Sequence, residues 1–233
     1  MFEGSAPKDK IIAAAFRLAE TRPWLDLSLG EIAAGAGIPL IEFKKDFPSK
    51  AKILAAFTKA VDEEVLRRFP APGADVARDR IFDVILTRFE IMQPYKAALL
   101  HIRTSIGNDA GASLAQLKAS AKSQYWMLAA SGLSGEGSTG FLRVQGMLAI
   151  YADVFSVWID DDDPGMARTM AALDRRLRRA EAAIERVQSI RDGIHNFARN
   201  LGGERGHDTK EKGAGTEPNA ATDFPSESSA QAI

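Results

Sequence analysis

Cysteine is absent from this chain of 233 residues. That one absence removes disulfide scaffolds, thiolate zinc sites and cysteine nucleophiles, and it suits a reducing cytoplasm. Histidine is scarce, and His101, His195 and His207 lie far apart. There is no glycine-rich phosphate loop, no serine elbow and no carboxylate pair placed for acid–base work, so neither catalysis nor a cofactor is expected. Long apolar runs are missing too. The best window, Met147 to Trp158, is interrupted by Asp153, so no membrane span is expected. Met1 to Lys8 lacks the apolar stretch of a signal peptide. Finally, no charge of one sign is in excess: 30 Lys+Arg stand against 31 Asp+Glu. Binding to nucleic acid must therefore rest on a local patch.

What is present reads as helix after helix. Hydrophobic residues make up 45% of the chain, enough for a core at this length, and no segment alternates as a strand does. Ile11, Ile12, Ala15, Phe16 and Ala19 form a stripe at helical spacing, predicting a helix over about 7–21. Ser28 and Glu31 have the spacing of a capping box, so a short second helix starts at Ser28 and stops at Gly35 to Gly37. Pro39 is placed to open a third helix that ends before Phe47-Pro48, and Ser49 to cap a longer fourth. Four more are expected at about 76–92, 94–107, 112–130 and 138–159. From Gly202 to Ile233 the only large apolar residues are Phe224 and Ile233. Such a stretch cannot bury enough surface to offset its ordering entropy and is expected to be a disordered tail.

The run Asp160 to Asp163, followed by Pro164, is expected to start the last helix, with Asp163 as cap and Pro164 at its first position. These four carboxylates lack the alternating ligands and glycine of a calcium loop and suit a helix N-terminus. Beyond them Met166, Met170, Leu173, Leu177, Ala180, Ile184, Val187 and Ile194 follow a 4-3 spacing. That period of about 3.5 predicts bundle packing and, with helix 138–159, a two-fold dimer interface.

Two short helices joined by a glycine turn must cross closely, and Ala33, Ala36 and Gly37 are small enough to allow it. Leu29, Ile32, Ile38, Phe43 and Phe47 would share a core with Phe16. The whole is a helix-turn-helix, whose helix after the turn enters the major groove. Over residues 8–57 three strings carry a resemblance: IIAAAF from Ile11, SLGEIAAGAGI from Ser28, and FPSKAKIL from Phe47. They resemble the N-terminal domain of the TetR family of transcriptional repressors. The resemblance implies an all-α homodimer whose variable C-terminal domain binds a small ligand and thereby releases DNA. It implies DNA-contacting roles at Ser28, Leu40, Glu42, Lys44, Lys45 and Lys50. The third helix departs from the family pattern: Leu40 and Ile41 stand where polar residues are usual, and Glu42 and Asp46 would approach phosphates. Residues 1–50 carry seven Lys/Arg and seven Asp/Glu, no net charge with which to neutralise phosphates.

A second resemblance runs through the rest. Arg88 to Leu99, Ser123 to Trp126, Arg143 to Tyr151, Trp158 to Pro164 and Thr169 to Leu177 are similar, in order and spacing, to the lipid-binding accessory proteins of ubiquinone biosynthesis. Those share the TetR fold, and the resemblance implies lipid presentation and membrane association in place of DNA binding. Met92, Tyr95, Leu99, Trp126, Met147, Tyr151 and Phe155 fall on helices that should pack together. They form either plain core or a pocket for an apolar molecule. His101 reads as structural. The division expected is a head at 1–50, a connecting helix at 49–69, a ligand-binding and dimerisation body at 70–201, and the tail at 202–233. The primary reading is a cytoplasmic TetR-like regulator with DNA, a second copy of itself and an apolar ligand as partners; the alternative is a lipid-binding accessory protein on the same scaffold.

Overall fold

The computed structural model describes residues 2, 4, 6–70, 76–106 and 110–203, and their side chains other than those of 110–117, 185 and 187–203. All regular structure among the described residues is helical, as expected. The elements are α1 (Pro7–Ala19), α2 (Leu29–Ala36), α3 (Leu40–Asp46), α4 (Lys50–Arg68), α5 (Ala77–Met92), α6 (Lys96–Ile106), α7 (Ala110–Ala130), α8 (Gly137–Ile159) and α9 (Ala167–Gly203). Met1–Glu185 form one compact unit and Arg186–Ile233 another. Of the segment read as a tail, residues 202 and 203 end α9; the remainder, like the side chains of Val187 and Ile194, lies outside the described residues.

Local chemistry accounts for the first four helices. Pro7 opens α1, whose Ile11, Ile12, Ala15, Phe16 and Ala19 are buried. At α2 the capping box closes in both directions: Ser28 Oγ accepts from the Glu31 amide at 3.1 Å, and Glu31 Oε2 accepts from the Ser28 amide at 2.9 Å. Two orphan amides of the helix start are thereby satisfied. Gly37 ends α2 at φ 66°, where a side chain would be strained. The Ile38 amide can then reach back to Ala33 O. Pro39 is the N-cap of α3, which starts at Leu40, one residue later than expected, and Ser49 caps α4.

Three elements differ from expectation. A single 3-10 turn at Trp24–Asp26 precedes α2; it buries Trp24, whose amide donates to Ser105 Oγ at 3.1 Å. Gln93–Tyr95 form another such turn, so α6 starts at Lys96 and not at Pro94. Pro164 does not open α9, which begins at Ala167 after a turn. Asp163 Oδ2 accepts from the Ala167 amide at 3.1 Å, and the buried Asp161 carboxylate accepts from Thr169 N and Oγ1 at 2.9 and 2.7 Å. Burial opposes ionisation of Asp161, but the bonds from Thr169 and the Asp163 amide prevail and hold it below the usual carboxylate value. Two carboxylates, spaced two apart, thus serve the amides of one helix start.

The core is continuous from α1 to α9. Phe16 stacks on Phe57 at 4.1 Å, and the Tyr95 ring closes on both edge-on. Deeper in, Phe89 stacks between Tyr151 at 5.5 Å and Trp158 at 5.2 Å. His101 Nδ1 donates to Ala19 O at 2.7 Å, tying α6 to the end of α1; its role is structural. Leu173 and Leu177 are buried within the chain's own core. The 3.5 period of this half of α9 therefore records packing within one chain. By length and composition α8 could cross a membrane, with mean hydropathy 1.3. It carries two charged residues, Arg143 and Asp153, and Arg176 holds the latter with two bonds of 2.7 and 2.8 Å. Val144, Met147, Tyr151, Val154 and Trp158 of α8 are core residues.

The capping box makes a titration prediction. The Arg22 guanidinium, then the Ser28 amide and hydroxyl, lower the Glu31 carboxyl from 4.5 to about 2. A depressed value stabilises the fold above the unfolded-state pKa and loses that contribution as pH falls through the folded one. Carboxyl NMR is expected to give a Glu31 midpoint near the lower value, and Arg22→Gln to raise it toward the ordinary one. A native midpoint in the ordinary range would refute the arrangement.

Candidate nucleic-acid interface and ligand cavity

At the head, α3 buries Phe43 alone and turns Leu40, Ile41, Glu42, Lys44 and Lys45 outward. Leu40 is 60% and Ile41 70% exposed, a large cost in apolar surface for a helix of seven residues. Lys44 and Lys45 make no ion pair among the described residues, whereas Asp46 is paired with Lys8 at 3.2 Å. Asp46 is thus partly neutralised, which the charge count could not reveal. Arg22 is paired with Glu31 at 2.6 Å, and Arg17 donates to Gly35 O at 3.0 Å.

Ser28 and Lys50 occupy structural positions. The Ser28 hydroxyl is engaged in the capping box and donates to Glu31 Oε2 at 2.8 Å. Lys50 Nζ donates to the carbonyls of Trp24, Leu25 and Leu27 at 2.8, 3.1 and 2.9 Å and lies over the Trp24 ring. Burial pushes its pKa down, against the pull of Asp26. An ammonium has three donors, and all three are taken, so Lys50 leaves the DNA-facing set and anchors the turn before α2. Ile41, not among the expected contacts, joins the exposed face; its exposure follows from Phe43 facing inward two positions on.

In the body a cavity of about 410 Å³ opens between α4, α5, α6, α7 and α8. Met92, Leu99, Tyr151 and Phe155 line it, as the pocket reading expected, together with Leu54, Phe57 and Ile102. Tyr95, Trp126 and Met147 do not. Tyr95 belongs to the Phe16–Phe57 cluster, and Met147 is buried in the core elsewhere. Trp126 is 41% exposed, edge-on to Tyr125, because α7 buries the face of Ser123, Gln124, Met127 and Leu128. Helical spacing puts residue 126 on the opposite side.

Polar residues in the cavity wall escaped the sequence reading. Arg88 is buried with its Nη1 on Asp62 and its Nε 3.3 Å from Tyr151 Oη. Ser123 Oγ donates to the same Asp62 oxygen at 2.6 Å. Burial disfavours the Arg88 cation, but Tyr151 and Asp62 outweigh it and raise its pKa above the ordinary value. Gln124 is fully buried, and neither its Oε1 nor its Nε2 has a hydrogen-bond partner. The only available signal was polarity at apolar helical positions, which does not distinguish a buried residue from an exposed one.

A helix-turn-helix head on a helical body with a central cavity defines the class of fold. Solved structures agree. A TetR transcriptional regulator from Nitrosomonas europaea superposes with a TM-score of 0.62 at 21% identity, over 75% of this chain and 97% of that one. Another from Rhodococcus sp. RHA1 gives 0.56 at 17% identity over 72% and 92%. A TetR-family regulator from Streptomyces coelicolor gives 0.54 at 15% over 83% and 90%. No family model matches the chain, and no curated protein matches it in sequence. The chain has the TetR-regulator fold. None of these three structures is of a lipid-binding accessory protein, and they do not favour the second resemblance.

The buried pair carries its own test. Arg88→Met leaves Asp62 buried with only Ser123 and is expected to cost about 3–5 kcal/mol in urea unfolding. Adding Asp62→Leu should recover most of that loss, since no unpaired charge remains. A double variant no more stable than Arg88→Met would contradict the pairing.

Proposed function

We infer that this chain is a non-enzymatic TetR-type transcriptional regulator of the cytoplasm. Its head, residues 1–50, binds operator DNA as part of a homodimer, and an apolar ligand in the body sets the affinity. The observation that supports this best is the outward face of α3. A short helix that buries only Phe43 has no folding reason to present Leu40, Ile41, Lys44 and Lys45 to water. Apolar side chains can meet thymine methyl groups, and the two lysines can meet phosphates. Glu42, a carboxylate on the same face, suits a cytosine amino group.

The connecting helix supports the coupling. α4 begins four residues after the end of α3 and places Leu54, Phe57 and Thr58 on the cavity wall. One helix thus follows the recognition helix in the chain and lines the ligand space. A ligand that prefers one placement of α4 shifts the head with it, and the coupling equals that difference in affinity.

Dimerisation rests on α8. Its Phe141 is 61% and Leu142 69% exposed, on a helix whose other face is core. A two-fold contact there would present two heads to two half-sites. Leu142→Asp is expected to convert a dimer to a monomer in sedimentation at micromolar concentration. A native protein that sediments as a monomer would remove the homodimer.

For DNA, Lys44→Ala and Lys45→Ala should each weaken binding alike on all sequences and flatten the salt dependence by about one unit per lost phosphate contact. Glu42→Thr should strengthen non-specific binding by removing a repulsive charge. If neither the native protein nor Glu42→Thr retards any DNA at low salt, the regulator reading is wrong.

A further inference from the structure

Among the described residues that line the body cavity, the charged ones are Arg88 and Arg103, and none is a carboxylate. Arg88 is buried, and Asp62 neutralises it. Arg103 lines the cavity and is exposed as well, which puts it at the rim where the space opens to water. It makes no ion pair and no hydrogen bond among the described residues. Its surroundings offer no anion to answer it. α6 carries Lys96 and Arg103 without an acidic residue, and α7 carries Lys118 and Lys122 without one. Every acidic residue of α4 and α8 is already paired: Asp62 with Arg88, Glu63 with Lys59, Glu64 with Arg67 and Arg68, Asp153 with Arg176. On α5, Asp83 and Glu90 do not line the cavity.

We propose that the cavity selects an amphipathic monocarboxylate, whose apolar chain lies against Met92, Leu99, Ile102 and Phe155 while its carboxylate meets Arg103 at the rim. The inference rests on the ligand-sensing half of the function above and gives that ligand a chemical class. Burial of the chain supplies the affinity, and the pair at the rim supplies the selection. A guanidinium presents its donors as a planar fork that matches the two oxygens of a carboxylate. At the rim the head keeps part of its water, so the pair forms without the full cost of burying a charge. One charge there answers one charge. A dianionic head would bring a second negative charge against an apolar wall, an alcohol forgoes the ion pair, and an ammonium is repelled.

The test uses three probes with one chain, decanoate, decan-1-ol and decylammonium, with dissociation constants measured at pH 7 and low salt on the full-length protein without DNA. Decanoate is expected to bind about fivefold more tightly than decan-1-ol, the scale of a partly exposed ion pair, and decylammonium most weakly. Arg103→Gln should abolish the preference for decanoate and leave decan-1-ol binding unchanged, whereas Arg103→Lys should keep part of it. Raising the salt to 0.5 M should shrink the preference by screening. Leu99→Trp, which fills the space, should weaken decanoate and decan-1-ol alike. A native preference for decan-1-ol or decylammonium overturns the proposal, as does binding of none of the three. So does an unchanged ratio of decanoate to decan-1-ol in Arg103→Gln, or full decanoate affinity in Leu99→Trp, which would put the chain outside the cavity. If Leu99→Trp does not fold, the ratio in Arg103→Gln decides. Gel retardation of DNA is scored separately. Carboxylate selection without DNA binding sinks the regulator and leaves this inference standing; DNA binding without carboxylate selection does the reverse.

Discussion

Asp62 and Arg88 hold the centre of this protein. The pair is buried, and around it four helices meet: α4 through Asp62, α5 through Arg88, α7 through Ser123 and α8 through Tyr151. Removing two charges from water is costly, and hydrogen bonds from Ser123 to Asp62 and from Arg88 to Tyr151 offset part of that cost. That requirement fixes how the four helices stand relative to one another, because any slide breaks a charged hydrogen bond in an apolar setting. The cavity exists inside this frame. Its apolar surfaces come from α4, α5, α6 and α8, and the ion pair with its hydrogen bonds joins all of these but α6.

A second network orders the head. Lys50 gathers the carbonyls of Trp24, Leu25 and Leu27, the first of which also accepts from the Leu27 amide at 3.4 Å. Because Lys50 is the first residue of α4, the base of the connecting helix is fastened to the turn that precedes α2. The capping box at Ser28 and the ion pair of Glu31 with Arg22 continue the same structure into α2. Much of the head's charge thus maintains the geometry of the helix-turn-helix. On α3 the cations left for a partner are Lys44 and Lys45, and on α1 Lys10 and Arg17 likewise make no ion pair among the described residues. A head with no net charge can still carry a local basic face, since salt largely screens acidic residues more than about 10 Å away.

How far the sequence could be read depended on the range of the interaction. The start of α2 is written in Ser28 and Glu31, three residues apart, and the end of α2 in Gly37. Both follow from backbone hydrogen bonds within one turn of chain. The same holds for the helical periodicities and for Ser49 at the start of α4. The start of α9 was misplaced because two carboxylates compete for its free amides. Asp161 reaches the Thr169 amide across eight residues, a contact that depends on the turn through Pro164. An aromatic residue on an apolar helix suggests burial, in core or pocket, yet Trp126 is exposed, and only the packing of α7 shows which side is inward.

The sequence by itself determined the all-helical class, the order of the helices and the helix-turn-helix. Those depend on capping, glycine turns and apolar spacing, all of which act over a few residues. Tertiary structure decided the rest. It set Lys50 on backbone carbonyls, buried Leu173 and Leu177 in their own chain, and joined Asp62 to Arg88 across 26 residues. It also left Gln124 unpaired within a cavity wall. Each of these outcomes depends on which groups from distant segments share a desolvated space, and the cost of burying a polar group is set by those neighbours and not by its own place in the chain.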